Sequence, residues 1–181
     1  MKRCKWVNLN NQRYIEYHDN EWGIPTYDDR LLFEMLLLES FQAGLSWECI
    51  LNKRDFFKEA FDNYDPNIIS TYNEDKINEL LLNKNIIRNR RKIEAAINNA
   101  KIFLEIKKEF GTFSNYIWHF TNGKIIKNRT NNQIITSPLS DEISNDLKKR
   151  GMKYTGSTII YSYLQAIGIV NDHEINCFKS K

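Results

Sequence analysis

The chain has few of the residues that break or staple a fold: seven glycines, three prolines and three cysteines in 181 residues. No Pro/Gly/Ser-rich linker, internal repeat or low-complexity block interrupts it, so long helices with short connections are expected. An odd, small number of cysteines excludes a disulfide framework and points to a reducing compartment, the cytoplasm. No apolar run approaches the roughly 18 residues of a membrane span, and the mean hydropathy is −0.57. No apolar stretch follows the basic opening Met1-Lys2-Arg3, so no secretory signal is expected. Strong charge of one sign is also lacking: 26 Lys and Arg against 23 Asp and Glu leave +3. That balance permits a nucleic-acid partner and argues against an electrostatic tail. What is present is 41% hydrophobic and 27% charged residues, which excludes a disordered chain. The length fits a single domain over 1–181, or two small lobes sharing a core, with a sizeable interior to bury.

The apolar spacing is helical almost throughout, and the fold class read from it is all-α. Asp28 or Asp29 can cap a helix from Arg30 to Phe41, with Leu32, Met35, Leu36 and Glu39 on one face. Ser46 can cap a helix through Trp47, Ile50 and Leu51. Further helices are expected from Asn73 through Leu81, from Asn89 to Lys108 with Gly111 closing it, and from Ser114 to Phe120. Ser140-Asp141-Glu142 can open a helix that ends at Lys148-Lys149-Arg150-Gly151, acid first and base last. Ser157 starts another, stopped at Gly168. Lys124–Asn128 is the one weak strand candidate.

Four groups of residues carry chemistry. Cys4 and His18 near one end and His173-x3-Cys177 near the other make a Cys2His2 set, suited to tetrahedral zinc. The spacing is unlike a zinc finger, and a surface cysteine with ordinary core histidines is the competing reading. Glu39 puts a carboxylate on an apolar helix face near the C-terminus, where burial and the helix dipole both disfavour its charge. It is either a pocket floor or a glutamate that snorkels or meets an arginine. Trp6, Tyr14, Tyr17, Trp22 and Trp47 either build core or wall a pocket for a flat, electron-poor ring. The segment about 147–158 reads as helix, glycine-bounded hairpin, helix. Gly151 and Gly156 allow tight turns, and free amides beside Lys148, Lys149 and Lys153 suit a phosphate. The bland reading is a solvated connection. A second basic run, Lys84 to Lys92, flanks the same duplex or is a wet face.

Tyr17-His18-Asp19-Asn20-Glu21-Trp22-Gly23, Gln42-Ala43-Gly44-Leu45-Ser46-Trp47 and Ile169-Val170-Asn171-Asp172-His173 resemble the 3-methyladenine DNA glycosylase I family. Arg3-Cys4-x-Trp6 and the hairpin segment fit too, so the resemblance runs from about residue 1 to 178. That family is the zinc-containing branch of the helix-hairpin-helix glycosylases. The resemblance implies a helical fold whose termini are joined by one structural Zn2+ on Cys4, His18, His173 and Cys177. It implies a monomer without an organic cofactor that acts on double-stranded DNA containing alkylated adenine. Glu39 is the implied catalytic residue, with Tyr17, Trp47, Trp6, Tyr14 and Trp22 around the base. Gln42, Gly44 and Leu45 are the implied minor-groove element, and Lys148, Lys149, Lys153 and Gly156 the implied phosphate grip. Ser40 and Phe41 depart from the small or amide residues usual after the pocket glutamate. Asp172 stands second to Glu39 for the chemistry, or orients the metal site, or caps a helix. Ser157-Thr158 occupies the place of a Schiff-base lysine, implying hydrolysis without strand nicking. The rival from another class is a non-enzymatic nucleic-acid-binding module with the same hairpin, which leaves Glu39 and the aromatic cluster without work. Release of free base from methylated DNA separates the two.

Overall fold

The computed structural model describes residues 1–130 and 132–180. Among them the chain forms α1 (Gln12–Asn20), α2 (Asp29–Gln42), α3 (Trp47–Leu51), α4 (Arg54–Ala60), α5 (Pro66–Ile69), α6 (Glu74–Leu82), α7 (Arg90–Phe110), α8 (Phe113–His119), α9 (Pro138–Lys149) and α10 (Ser157–Ala166). The fold is helical, as the spacing indicates. Side-chain caps set most of the starts: Asp28, Ser46, Asn73, Asn89 and Thr112 each accept an amide hydrogen bond from the helix they precede.

α9 starts a turn before the expected Ser140. Ser137 is its N-cap, Pro138 fills the first helical position, and Ser137 and Ser140 bond each other's backbone amides as a capping box. α1, α4 and α5 are short elements that the spacing does not announce. The weak strand at Lys124–Asn128 shrinks to β1 (Ile126–Lys127), which pairs in parallel with β2 (Val170–Asn171). A β-pairing between residues 44 positions apart cannot be seen in local pattern.

α2 organises the core. All ten residues from Leu32 to Phe41 are buried, so the helix is covered on every side rather than on one face. It packs against α3, α7, α8 and α10. Its Asp29 carboxylate accepts the amides of Phe113 and Ser114 and pairs with Lys107, which fixes the start of α8 against α2. Gly168 then brings the chain's two ends together. Its φ is +76°, and a Cβ there would sit 2.2 Å from the carbonyl carbon of Ile24. That close approach lets Gly23 donate to the Gln165 carbonyl and Thr26 to that of Ile167.

Candidate active site

A cavity of about 470 Å³ opens between α1, α2 and α10. Trp6, Tyr14, Tyr17, Trp22 and Trp47 all line it, together with Glu39 and Gln42. The rings touch in sequence: Tyr17 and Trp47 lie 5.3 Å apart by centroid, Trp6 and Tyr14 5.3 Å, Trp6 and Trp22 4.8 Å. Trp47 Nε1 is buried without a hydrogen-bond partner among the described residues, a donor left open at the wall. These rings offer π faces to a flat cation.

Glu39 is 3% exposed and has no hydrogen bond or ion pair among the described residues. Burial alone pushes its carboxyl up to about 8. The arginines that meet α2 are engaged elsewhere: Arg54 pairs with Glu34 and Glu21 at 2.6 and 2.7 Å, and Arg30 with Asp65 at 3.0 Å. Burial also drives the Tyr17 phenol well above its usual value, with the Glu39 charge adding to it. The cavity floor is therefore a carboxyl that lacks a cation. A positively charged occupant would supply one and return Glu39 to its ionised form.

Next to this cavity the two ends of the chain meet. The ligand-capable atoms of Cys4, His18 and Cys177 all lie within 4.8 Å of one another, and all three residues are buried. Cys177 Sγ is 3.4 Å from His18 Nε2. The other ring nitrogen of His18 donates to Asp19 at 2.7 Å, and Arg3 grips that carboxylate through Nε and Nη2. This chain of bonds aims Nε2 at the sulfurs, the arrangement that orients a metal-binding imidazole. His173 lies outside the 4.8 Å group, with its ring 5.1 Å from that of His18. Its Nδ1 bonds Asn171 at 2.9 Å, and its Nε2 is buried with no partner among the described residues. Burial lowers His173 to about 4 and raises Cys4 to about 12, which keeps the imidazole neutral and the thiol protonated without a metal. Two thiols and two neutral imidazoles, one of them orphaned, suit a zinc ion. The His173–Cys177 segment is a series of turns, not a helical face.

The rim carries the remaining candidates. Gln42-Ala43-Gly44-Leu45 is a type II turn: Ala43 has φ −47° and ψ 116°, Gly44 has φ +78°, and Leu45 N–H donates to the Gln42 carbonyl at 2.7 Å. It presents Leu45 at 38% exposure beside the cavity. In the hairpin, Gly151 has φ +98° and supplies the left-handed turn, whereas Gly156 has an ordinary φ of −64°. Gly156 instead precedes α10 without a side-chain cap among the described residues, leaving amides at that helix's N-terminus without a side-chain acceptor there. Lys148, Lys149 and Lys153 are exposed and make no ion pair among the described residues. Arg150 turns inward to Glu109 and Asp146.

The structure thus brings Glu39, Gln42 and all five aromatic residues to one cavity and the Cys/His residues to one adjacent centre. In the basic run at Lys84 to Lys92, Lys84, Arg88 and Arg91 are exposed, as a wet face requires, but two members are not available to it. Arg90 is spent on Glu74 and Glu94, and Lys92 is buried. Asp172 faces the cavity but neither caps a helix nor bonds a histidine; it accepts from Asn128, Tyr161 and Gln165 at 2.7, 2.6 and 2.6 Å. Thr158, Ser162 and Gln165 also line the cavity, and sequence reasoning missed them. Their signal was available: three polar residues at i, i+4 and i+7 on the otherwise apolar α10. The strip around Thr130 and Ile134 on the facing wall had no such signal.

The sequence profile of the methyladenine glycosylase family matches residues 6–180. DNA-3-methyladenine glycosylase 1 of Escherichia coli is 43% identical over 98% of this chain and 96% of its own length. A crystal structure of 3-methyladenine DNA glycosylase I superposes with a TM-score of 0.96 at 42% identity, covering 99% of this chain and 100% of the other. A structure addressing 3-methyladenine recognition by the Staphylococcus aureus enzyme superposes with a TM-score of 0.95 at 34% identity, over 100% of this chain and 97% of that one.

Proposed function

Because the chain belongs to the methyladenine glycosylase family, we propose that its cavity receives an extruded N3-methylated adenine nucleotide and that Glu39 drives release of the base. The protein is a DNA-repair glycosylase for 3-methyladenine. The observation that carries the reading of the site is the buried Glu39 carboxyl, unpartnered at the floor of an aromatic box.

N3-methylation leaves the adenine ring positively charged. When the bond from N9 to C1′ breaks, its electron pair returns to the ring and the base departs as a neutral molecule. Water adds to C1′, loses a proton, and an abasic site remains. The leaving group needs no strong acid, so the protein's work is extrusion, discrimination and stabilisation of the cationic sugar. Extrusion costs least where the pair is damaged. The Trp and Tyr faces favour the charged ring over ordinary adenine. Glu39 accepts from the amino edge and sets a negative charge beside the developing cation. Position 158 is threonine and 157 serine, so no amine is available there for a Schiff base, and the reaction is simple hydrolysis.

Lys148, Lys149, Lys153 and the amides before α10 grip duplex phosphates, while Gln42, Gly44 and Leu45 enter the minor groove at the vacated place. Cys4, His18, His173 and Cys177 would hold one zinc ion, whose contribution would be structural, tying the two termini together. The enzyme works as a monomer in the bacterial cytoplasm, where its DNA lies. No described helix is long and apolar enough to cross a membrane.

The test is single-turnover release of base from methylated duplex. Wild-type protein frees 3-methyladenine without nicking the strand, and Glu39→Gln loses most of that release. Equal release by both would move the chemistry away from Glu39.

A further inference from the structure

A second buried charge lies under the rim, and base release has no use for it. Lys92, 8% exposed in the first turn of α7, donates from Nζ to the carbonyls of Phe41 and Ala43 at 2.8 and 2.6 Å. It has no carboxylate partner among the described residues. The positive end of its own helix disfavours it there, and burial lowers its pKa. As a stabilising device alone this is a poor choice, since an ammonium is costly to desolvate.

The two carbonyls explain the position. They lie at the C-terminal end of α2, on either side of Gln42, whose own carbonyl accepts the Leu45 amide, and they lead into the Gln42–Leu45 turn. Farther along α7 sit the bonds that hold the hairpin. Asn98 Nδ2 donates to the Gly151 carbonyl at 2.9 Å, and Asn99 both donates to the Lys153 carbonyl and accepts its amide at 2.8 Å. From Lys92 to Asn99 is about two helical turns, roughly 10 Å of rigid rise. One helix therefore anchors both the exposed Leu45 turn and the basic hairpin. A sequence reading that put Lys92 with surface phosphate contacts could not see this.

We propose that Lys92 is a positioning residue for nucleotide extrusion: it fixes the Gln42–Leu45 turn relative to the hairpin, so that gripping phosphate and filling the vacated stack occur in one register. This rests on the duplex-binding role proposed above for both elements. Lys92 touches neither base nor sugar and acts through Leu45.

The test compares Lys92→Met, Lys92→Arg and Leu45→Ala by single-turnover excision at saturating protein and by quenching of tryptophan fluorescence with free 3-methyladenine. Lys92→Met is expected to bind the free base within about twofold of wild type yet excise from duplex at least roughly tenfold more slowly, and Lys92→Arg to recover most of the loss. A 2-aminopurine placed opposite the lesion should brighten on binding wild type and stay dim with Lys92→Met. Leu45→Ala should cost much less in the Lys92→Met background than alone. Additive losses, undiminished excision by Lys92→Met, or equal losses of free-base affinity and excision would overturn the proposal. If Lys92→Met fails to fold, Lys92→Gln, which keeps an amide donor group and removes the charge, takes its place in the same cycle with the same readings. Failure of wild type itself to release base would instead overturn the glycosylase reading.

Discussion

Glu39→Gln should produce a protein that is more stable and nearly inactive, and the stability gain should depend on pH. The ordinary carboxyl value is 4.5 and the buried one about 8. Between those values the unfolded chain gives up its proton while the folded one keeps it. Stability contributed at Glu39 is therefore fully present below about pH 4.5 and falls as pH rises to about 8. At about 1.4 kcal/mol per pH unit, the cost reached by pH 7 is about 3 kcal/mol. Gln has no proton to lose and escapes it. Its own unpaired amide atoms cost the same at every pH, so the difference between two pH values isolates the charge. For a chain of this size the melting temperature of Glu39→Gln, relative to wild type, should climb by about 7–14 °C between pH 5 and pH 8. Excision should move the opposite way. A charge-assisted hydrogen bond lost in a dry pocket is worth about 1.5–3 kcal/mol, or about ten- to a hundredfold in rate. The assay is calorimetric melting of both proteins at the two pH values, beside single-turnover excision. Parallel melting curves, with the same offset at pH 5 and pH 8, would refute the claim that Glu39 is buried without a partner.

Three further expectations follow from the other parts of the site. Elemental analysis should find one zinc per chain in wild type and a loss of it in Cys177→Ser, with a lower melting temperature; unchanged zinc content would remove Cys177 from the metal set. Replacing Lys148, Lys149 and Lys153 together by Ala should flatten the log–log salt dependence of duplex binding by roughly three, about one for each lost phosphate contact. An unchanged slope would take the hairpin out of the interface. Asp172→Asn should destabilise the fold by about 1–3 kcal/mol, because an amide cannot accept from Asn128, Tyr161 and Gln165 at once. It should cost less excision than Glu39→Gln, and a larger loss would transfer the chemistry to Asp172.

Much of this molecule is legible in its sequence because the signals are local. A cap is written within four residues, so Asp28, Asn73 and Asn89 mark the starts of α2, α6 and α7 without reference to the rest of the chain. A carboxylate among leucines is conspicuous wherever the helix packs, so Glu39 stands out before any packing is known. The Trp- and His-rich blocks carry the family resemblance, and the helical fold follows from it. Tertiary structure decided what depends on distance. It determined that no arginine reaches Glu39, which is what leaves the carboxyl raised. It turned Lys92 from a basic surface into a buried clamp on α2, because burial is a property of neighbours and not of the run Arg90-Arg91-Lys92. It paired Ile126–Lys127 with Val170–Asn171 and gave Asp172 three donors from two other segments. Spacing along a chain reports which side chains share a helix face, but whether a charge on that face meets solvent, a partner or neither is set only when distant segments close around it.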